Sequence, residues 1–233
     1  MTSTAPEQVR DLFDRIAPVY DRFNDRLSFG LHRVWKQMTV NWSGARPGDR
    51  VLDLCCGSGD LAVLLARRVG RDGAVTGLDF SQELLNQAAR RADLVGLPLT
   101  IDWRLGDALR LPQADASVEA ITMGYGLRNV GDIPRALAEI RRVLKPGRRA
   151  ALLDMHRPAG ATLRGFQQWY LEHWVQPAAN DCGLHDEYAY IGPSLDRFPT
   201  GPEQEELARR AGFRRVRHYP IAGGMMGVLV VEA

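Results

Sequence analysis

The chain is short of everything that would hold it together from outside a core or carry it out of a reducing compartment. Cys55, Cys56 and Cys182 are an odd number without C-x-x-C spacing, which argues against a zinc site and against a secreted disulfide framework. No apolar run is long enough to span a bilayer. The first residues, Met1 to Glu7, have neither the basic region nor the apolar stretch of a signal peptide, so a cytoplasmic protein is expected. A net charge of +2 with a pI near 8.5 is too small to argue for a nucleic-acid partner. Repeats and low-complexity tracts are missing, and Pro and Gly are spread along the chain without gathering into a linker. What is present, 45% apolar and 25% charged residues over 233 positions, suits one α/β domain with a sizeable core.

The pattern around which the rest is arranged runs from Asp49 to Ala66. Val51, Leu52 and Leu54 supply a buried strand, Gly57 and Gly59 allow angles and approaches that a side chain would block, and Leu61, Leu64 and Leu65 recur at helical spacing. A second strand, Gly73 to Asp79, ends in an acid about 20 residues after the glycines, where such folds meet ribose hydroxyls. Gly57 to Ala62 formally satisfies the dinucleotide pattern G-x-G-x-x-G/A. A pyrophosphate wants a helix N-terminus free of acids, whereas Asp60 stands there and Asp53 closes the strand before it. Two carboxylates suit a cation. S-adenosylmethionine carries a sulfonium and an α-ammonium and no phosphate, and its adenosine still needs the acid at Asp79. The plainer alternative is that Asp60 caps its helix and Asp53 orders the turn. Small side chains at Cys55 and Cys56 fit packing in this turn.

Strand and helix go on alternating. Residues 81 to 94 read as a helix capped by Ser81, Thr100 to Trp103 as a third strand, and Val118 to Met123 as a fourth. Gly106-Asp107-Ala108 falls on the carboxyl edge of the sheet, where ligands bind. There Asp107 can accept from an adenine amino group beside the small Ala108, or simply serve as a turn carboxylate. A helix over Asp132 to Leu144, stopped by Lys145-Pro146-Gly147, leads to a fifth strand over Arg149 to Asp154. Such alternation implies a parallel sheet with helices on both faces. Thr200 and Glu203 form a capping-box pattern around Pro202, and two closing strands follow, Arg214 to Tyr219 and Gly227 to Val231.

Two segments do not belong to that rhythm. Val9, Leu12, Phe13, Ile16 and Tyr20 make residues 6 to 20 an amphipathic helix, and a second helix is expected from His32 to Trp42. Leu163, Phe166, Tyr170 and Trp174, with Trp169 beside them, form an aromatic stripe that fits either core packing or a lid over an apolar substrate.

Tyr20-Asp21, Asn24, Leu27-Ser28, His32 and Trp35 match the spaced signature Y-D-x-M-N-x-x-L-S-x-x-x-H-x-x-W, with Phe23 in place of Met. On these residues the chain resembles the ubiquinone/menaquinone biosynthesis C-methyltransferases, the UbiE/MenG family. Arg142 to Gly147 approaches a second signature, with Arg148, Asp154 and His156 where that family usually has Gly, Glu and Ser. Gly124 to Val130 resembles its F-G-L-R-N-V loop, which lies beside the transferring methyl. With Glu187 to Tyr190, Arg197 to Gln204 and Tyr219 to Met226 added, the likeness is to the cyanobacterial and plastid branch that methylates 2-phytyl-1,4-naphthoquinone.

The resemblance implies a class I, Rossmann-like fold: a seven-stranded, mostly parallel sheet with an antiparallel last strand, helices on both faces and an N-terminal helical cap. Residues 1–45 would be the cap, 46–160 the donor-binding core, 161–200 the aromatic insertion and 201–233 the closing helix and hairpin of one domain. It implies S-adenosylmethionine as methyl donor, held by Asp53, Gly57, Ser58, Gly59, Asp79, Phe80, Asp107, Ala108 and Gly124, and no metal. The acceptor would be a lipophilic naphthoquinol, with demethylmenaquinone or another prenylated quinol as the alternative. Its ring hydroxyl must lose a proton before carbon can attack. Arg128 and Asn129 would stabilise the naphtholate, Tyr20 orient it, and His156 assist as a group that titrates near neutrality. A quinone oxidoreductase and a non-catalytic quinone carrier are the rival classes. Peripheral membrane contact is expected from the substrate's tail, and a second copy of the chain is a candidate partner.

Overall fold

The computed structural model describes residues 30–177 and 191–233. The helix expected over 6 to 20, Tyr20 itself, Asp21 to Ser28, Cys182 and Glu187 to Tyr190 lie outside the described residues.

Among the described residues seven strands form one sheet: β1 Arg50–Leu54, β2 Ala74–Asp79, β3 Asp102–Leu105, β4 Val118–Gly124, β5 Leu144–Met155, β6 Arg215–Ile221 and β7 Met226–Glu232. Their order is β3-β2-β1-β4-β5-β7-β6. β7 runs antiparallel to both neighbours, and every other pairing is parallel. The chain builds outward from β1 through β2 to β3, then crosses back to place β4 on the other side of β1. That reversal opens a crevice beyond the carboxyl ends of β1 and β4.

The helices are α1 Leu31–Ser43, α2 Asp60–Val69, α3 Gln82–Leu94, α4 Ile133–Val143, α5 Ala161–Tyr170, α6 Ile191–Arg197 and α7 Gly201–Arg210. Their starts follow local chemistry. The Ser81 hydroxyl accepts from the Leu84 N–H at 3.1 Å, Asp132 accepts from Arg135 N–H at 2.9 Å, and Thr200 and Glu203 close a capping box. Two elements depart from the expected bounds for a visible reason. β3 begins at Asp102, the first residue to find a partner on β2, opposite Thr76. The helix before β5 ends at Val143, and Lys145 to Gly147 sit inside the strand, where its register against β4 shifts and Gly147 takes φ +73°.

Alternate residues of β1 serve opposite layers. Leu52 and Leu54 pack with Leu137 and Ile140 of α4 and Ala208 of α7, while Val51 packs with Leu61 and Leu65 of α2 and Val40 of α1. The two-residue period therefore puts Asp53 on the α1/α2 side. Trp35 and Trp42 of α1 pack on Leu153 and Val228, and Trp42 stacks on Tyr219 with centroids 4.8 Å apart. This aromatic seat fixes α1 across the sheet next to α2 and brings its middle, at Lys36, to the crevice.

α5 is attached differently. Gln167 is its buried residue, donating to the His156 carbonyl at 2.7 Å. Leu163, Phe166 and Trp169 are 41, 49 and 47% exposed, and Trp174, in the π-helical turn Leu171–Val175 that follows, is 57% exposed. The core-packing alternative for these four side chains is therefore overturned: a polar pin holds the helix and leaves its apolar face outward.

Candidate active site

A cleft of about 290 Å³ opens at the reversal of the sheet. Its floor begins where β1 ends, in a turn that passes through Cys55 at φ +50° and Gly57 at φ +53°. Glycine is needed at Gly59 for a second reason besides its φ of +86°: a Cβ there would sit 2.7 Å from the Trp103 ring. Asp79, buried at the end of β2, ties the turn down. One carboxylate oxygen accepts from Gly57 N–H at 2.8 Å and the other from Ser81 N–H at 3.0 Å.

Asp53 is fully buried. One oxygen accepts from the Thr122 hydroxyl at 2.7 Å, and the other has no partner. Burial pushes its pKa up to about 7, against the opposing pull of hydrogen bonding from Thr122 and from the Ala62 backbone and of the Lys36 charge. Asp107 is exposed and orders its own turn by accepting from Leu109 N–H at 2.9 Å; it lines the cleft as well. Ser58, Phe80, Ala108, Gly124 and Asn129 are also lining residues. Gly59 is not, because it lies against Trp103 and Ala88. Burial drives the thiols of Cys55 and Cys56 well up, so both pack as neutral groups.

Asn129 donates to the Tyr125 carbonyl at 2.9 Å, and its side-chain oxygen is buried with no partner. Arg128 is not a lining residue, though its guanidinium donates to the carbonyl of one, Tyr125, at 3.2 Å. Its guanidinium pairs with Asp154 at 2.5 Å, and Asp154 also accepts from Arg128 N–H at 3.0 Å. His156 is likewise outside the lining set. Its Nε2 lies 3.2 Å from Nε2 of His218, ring edge to ring face, with Phe198 5.0 Å away. Burial and then His218 lower its pKa to about 4, so it stays neutral near neutrality.

Asp60 corrects the charge argument made from sequence. It is no lone acid: Lys36 forms an ion pair with it, and so does Arg91 of α3 at 2.5 Å. Burial works to raise its pKa, but the two cations outweigh burial and hold it below the ordinary carboxylate range. Lys36 and Tyr125, both lining the cleft, were missed in the sequence. Lys36 directly follows Trp35 of the spaced signature, but its partner Asp60 stands 24 positions away and no local pattern joins them.

An unpartnered carboxylate oxygen, two acids at neighbouring strand ends and a glycine turn at a helix start suit an adenosyl amino acid, and the sheet order defines a Rossmann-like protein with its cleft at the reversal. A solved S-adenosylmethionine-dependent methyltransferase from Aquifex aeolicus has the same fold, with a TM-score of 0.60 at 19% identity over 98% of both chains. Residues 1–231 match the ubiE/COQ5 methyltransferase family, and the chain belongs to it. It is an S-adenosylmethionine-dependent methyltransferase. It is 60% identical over the full length of both chains to a protein of Synechococcus elongatus named 2-phytyl-1,4-naphtoquinone methyltransferase. It is 52% identical, over 95% of this chain and 85% of the other, to the chloroplastic 2-phytyl-1,4-beta-naphthoquinone methyltransferase of Arabidopsis thaliana. Family membership, and not the charge of Asp60, is what sets the dinucleotide reading aside.

Proposed function

We propose that this chain methylates the ring of 2-phytyl-1,4-naphthoquinol. The reading is carried by one observation: a single cleft joins Asp53, Asp79 and Asp107 to Tyr125 and Asn129, in a chain 60% identical throughout to a relative named for that reaction. S-adenosylmethionine supplies an electrophilic methyl when bound. Asp79 would meet the ribose hydroxyls, Asp107 the adenine amino group, and Asp53 the α-ammonium. Asn129 offers its unpartnered oxygen to the quinol hydroxyl and so orients the ring. Arg128, held by Asp154, acts as a positioning residue for the turn that presents Asn129. Tyr20 keeps the role of orienting the naphtholate. His156, neutral and packed against His218, supports the site from outside its lining.

Reaction of the carbon requires that its ring hydroxyl ionise, that the new carbon–carbon bond form as the carbon–sulfur bond breaks, and that the ring carbon then lose its proton. Holding two reactants in register supplies roughly 7–11 kcal/mol of such a barrier. The test is transfer of a labelled methyl from the donor to 2-phytyl-1,4-naphthoquinol under reducing conditions. Methylated phytyl quinone is expected; label appearing only with demethylmenaquinol would move the substrate, and no label with either would overturn the reading.

The exposed face of Leu163, Phe166, Trp169 and Trp174 supports peripheral contact with a lipid surface, where a phytyl tail resides. Among the described residues no helix is long and apolar enough to cross a membrane. Sedimentation with anionic liposomes should carry the wild type down and leave a Trp169→Ala/Trp174→Ala variant in solution; equal sedimentation of the two would remove this face from the account.

A further inference from the structure

The pair formed by Lys36 and Asp60 changes the chemistry of one end of the cleft. Sequence alone puts a carboxylate there. The structure puts three charged groups there, Lys36 from α1, Asp60 at the first position of α2 and Arg91 from α3, which sum to one positive charge. Lys36 is only 6% exposed, lines the cleft, and stands 5.9 Å over the Tyr125 ring. Its ammonium has three protons to donate, and Asp60 takes one. The start of α2 adds backbone N–H groups of the same polarity.

Opposed to this is Asp53. It is 0% exposed, fixed by Thr122, and has one oxygen without a partner beside the same cleft. It is close enough to Lys36 for the lysine's charge to act on its ionisation. A buried carboxylate oxygen and a buried ammonium beside one glycine turn call for a ligand fragment that carries both signs. An α-amino acid is such a fragment, and a nucleoside without one is not.

We propose that Lys36 binds the α-carboxylate of the methyl donor, with Asp53 on the α-ammonium, so that the two residues read the amino-acid end as a zwitterion. The inference rests on the donor assignment above and adds a residue to it. The other anion that Lys36 could serve is the naphtholate oxygen of the acceptor, and the test separates the two. Equilibrium binding of S-adenosylhomocysteine and of 5′-methylthioadenosine, which lacks the amino acid, is measured for the wild type, Lys36→Met and Lys36→Arg.

Lys36→Met should weaken S-adenosylhomocysteine about 10–100-fold, the range of a hydrogen bond to a charged group, and leave methylthioadenosine unchanged. Lys36→Arg should restore most of the preference. Retained methylthioadenosine binding also shows that the variant is folded. Equal losses for both ligands would make the lysine a support for the cleft, and no loss for either would hand it to the acceptor; each result overturns the proposal. Binding of neither ligand by the wild type would contradict the donor assignment itself, and this inference with it.

Discussion

The two halves of the cleft are built in different ways. The half proposed for the donor comes from strand ends and the turns directly after them: Asp53 is the last residue but one of β1, Asp79 closes β2, Asp107 and Ala108 follow β3, and Gly124 closes β4. The half proposed for the acceptor leans on residues behind its lining, and these are held by pairs far apart in sequence. Arg128 is placed by Asp154, 26 positions on, and His156 by His218, 62 positions on. A site made of strand ends inherits its geometry from the sheet, whereas a site made of distant pairs exists only once the chain has folded. Substitutions in the first half should therefore disturb binding, and substitutions in the second should disturb folding or rate.

The largest effect expected is on stability. Arg128→Ala leaves the Asp154 carboxylate, whose side chain is 2% exposed, without its cation, and breaking a buried pair in this way costs about 3–5 kcal/mol. Urea unfolding measures it. A variant with wild-type stability and only a lower rate would return Arg128 to direct contact with the substrate. Next comes Asp79→Ala, which removes the proposed ribose acceptor and should weaken S-adenosylhomocysteine by about 1.5–3 kcal/mol. It also deprives the Gly57 and Ser81 N–H groups of their acceptor, so the thermal midpoint should fall. Unchanged affinity would sever Asp79 from the donor.

A smaller effect follows from Asp53. Its carboxyl is raised from 3.8 to about 7 in the folded protein, so the stability it contributes is fully present below pH 4 and is lost as pH rises through 7. A ligand ammonium reverses the preference by favouring the ionised form. Affinity for S-adenosylhomocysteine should then rise toward tenfold per pH unit up to about pH 7 and level off above it. Asp53→Asn should flatten that slope, and methylthioadenosine should show none; a slope shared by both ligands would assign it to another group.

The smallest effect expected is on the pH profile of His156→Ser. With its pKa lowered from 6.5 to about 4, the stability that His156 contributes is present above pH 6.5 and lost as pH falls toward 4. The rate profile above pH 6 should keep its shape in the variant. Loss of an acidic limb there would make the histidine the base.

What was legible in the sequence follows the same division. The succession of strands, the capped helix starts and the acids that line the cleft could be read because each is a matter of a few consecutive residues: alternation in β1, a serine three positions before an amide it caps, an acid closing a strand. The three departures from the second signature were visible only as oddities. Arg148 pairs with Asp49 at 2.7 Å, Asp154 with Arg128, and His156 with His218, so each departure has a partner that sequence spacing does not reveal. Asp60 misled for the same reason: its two cations arrive from α1 and α3, and an acid at a helix start reads as free until they are seen. The aromatic stripe of α5 has helical spacing whether it faces a core or solvent, and only the attachment through Gln167 decides which.

The division itself is tested by measuring two quantities on two variants, the dissociation constant of S-adenosylhomocysteine and the single-turnover rate of methyl transfer at saturating donor. Asp79→Ala should raise the dissociation constant and keep most of the rate. Asn129→Ala, deprived of the unpartnered side-chain oxygen of a lining residue, should keep the dissociation constant and slow transfer by about tenfold. Loss of both quantities in proportion in both variants would contradict a cleft made of two separable halves.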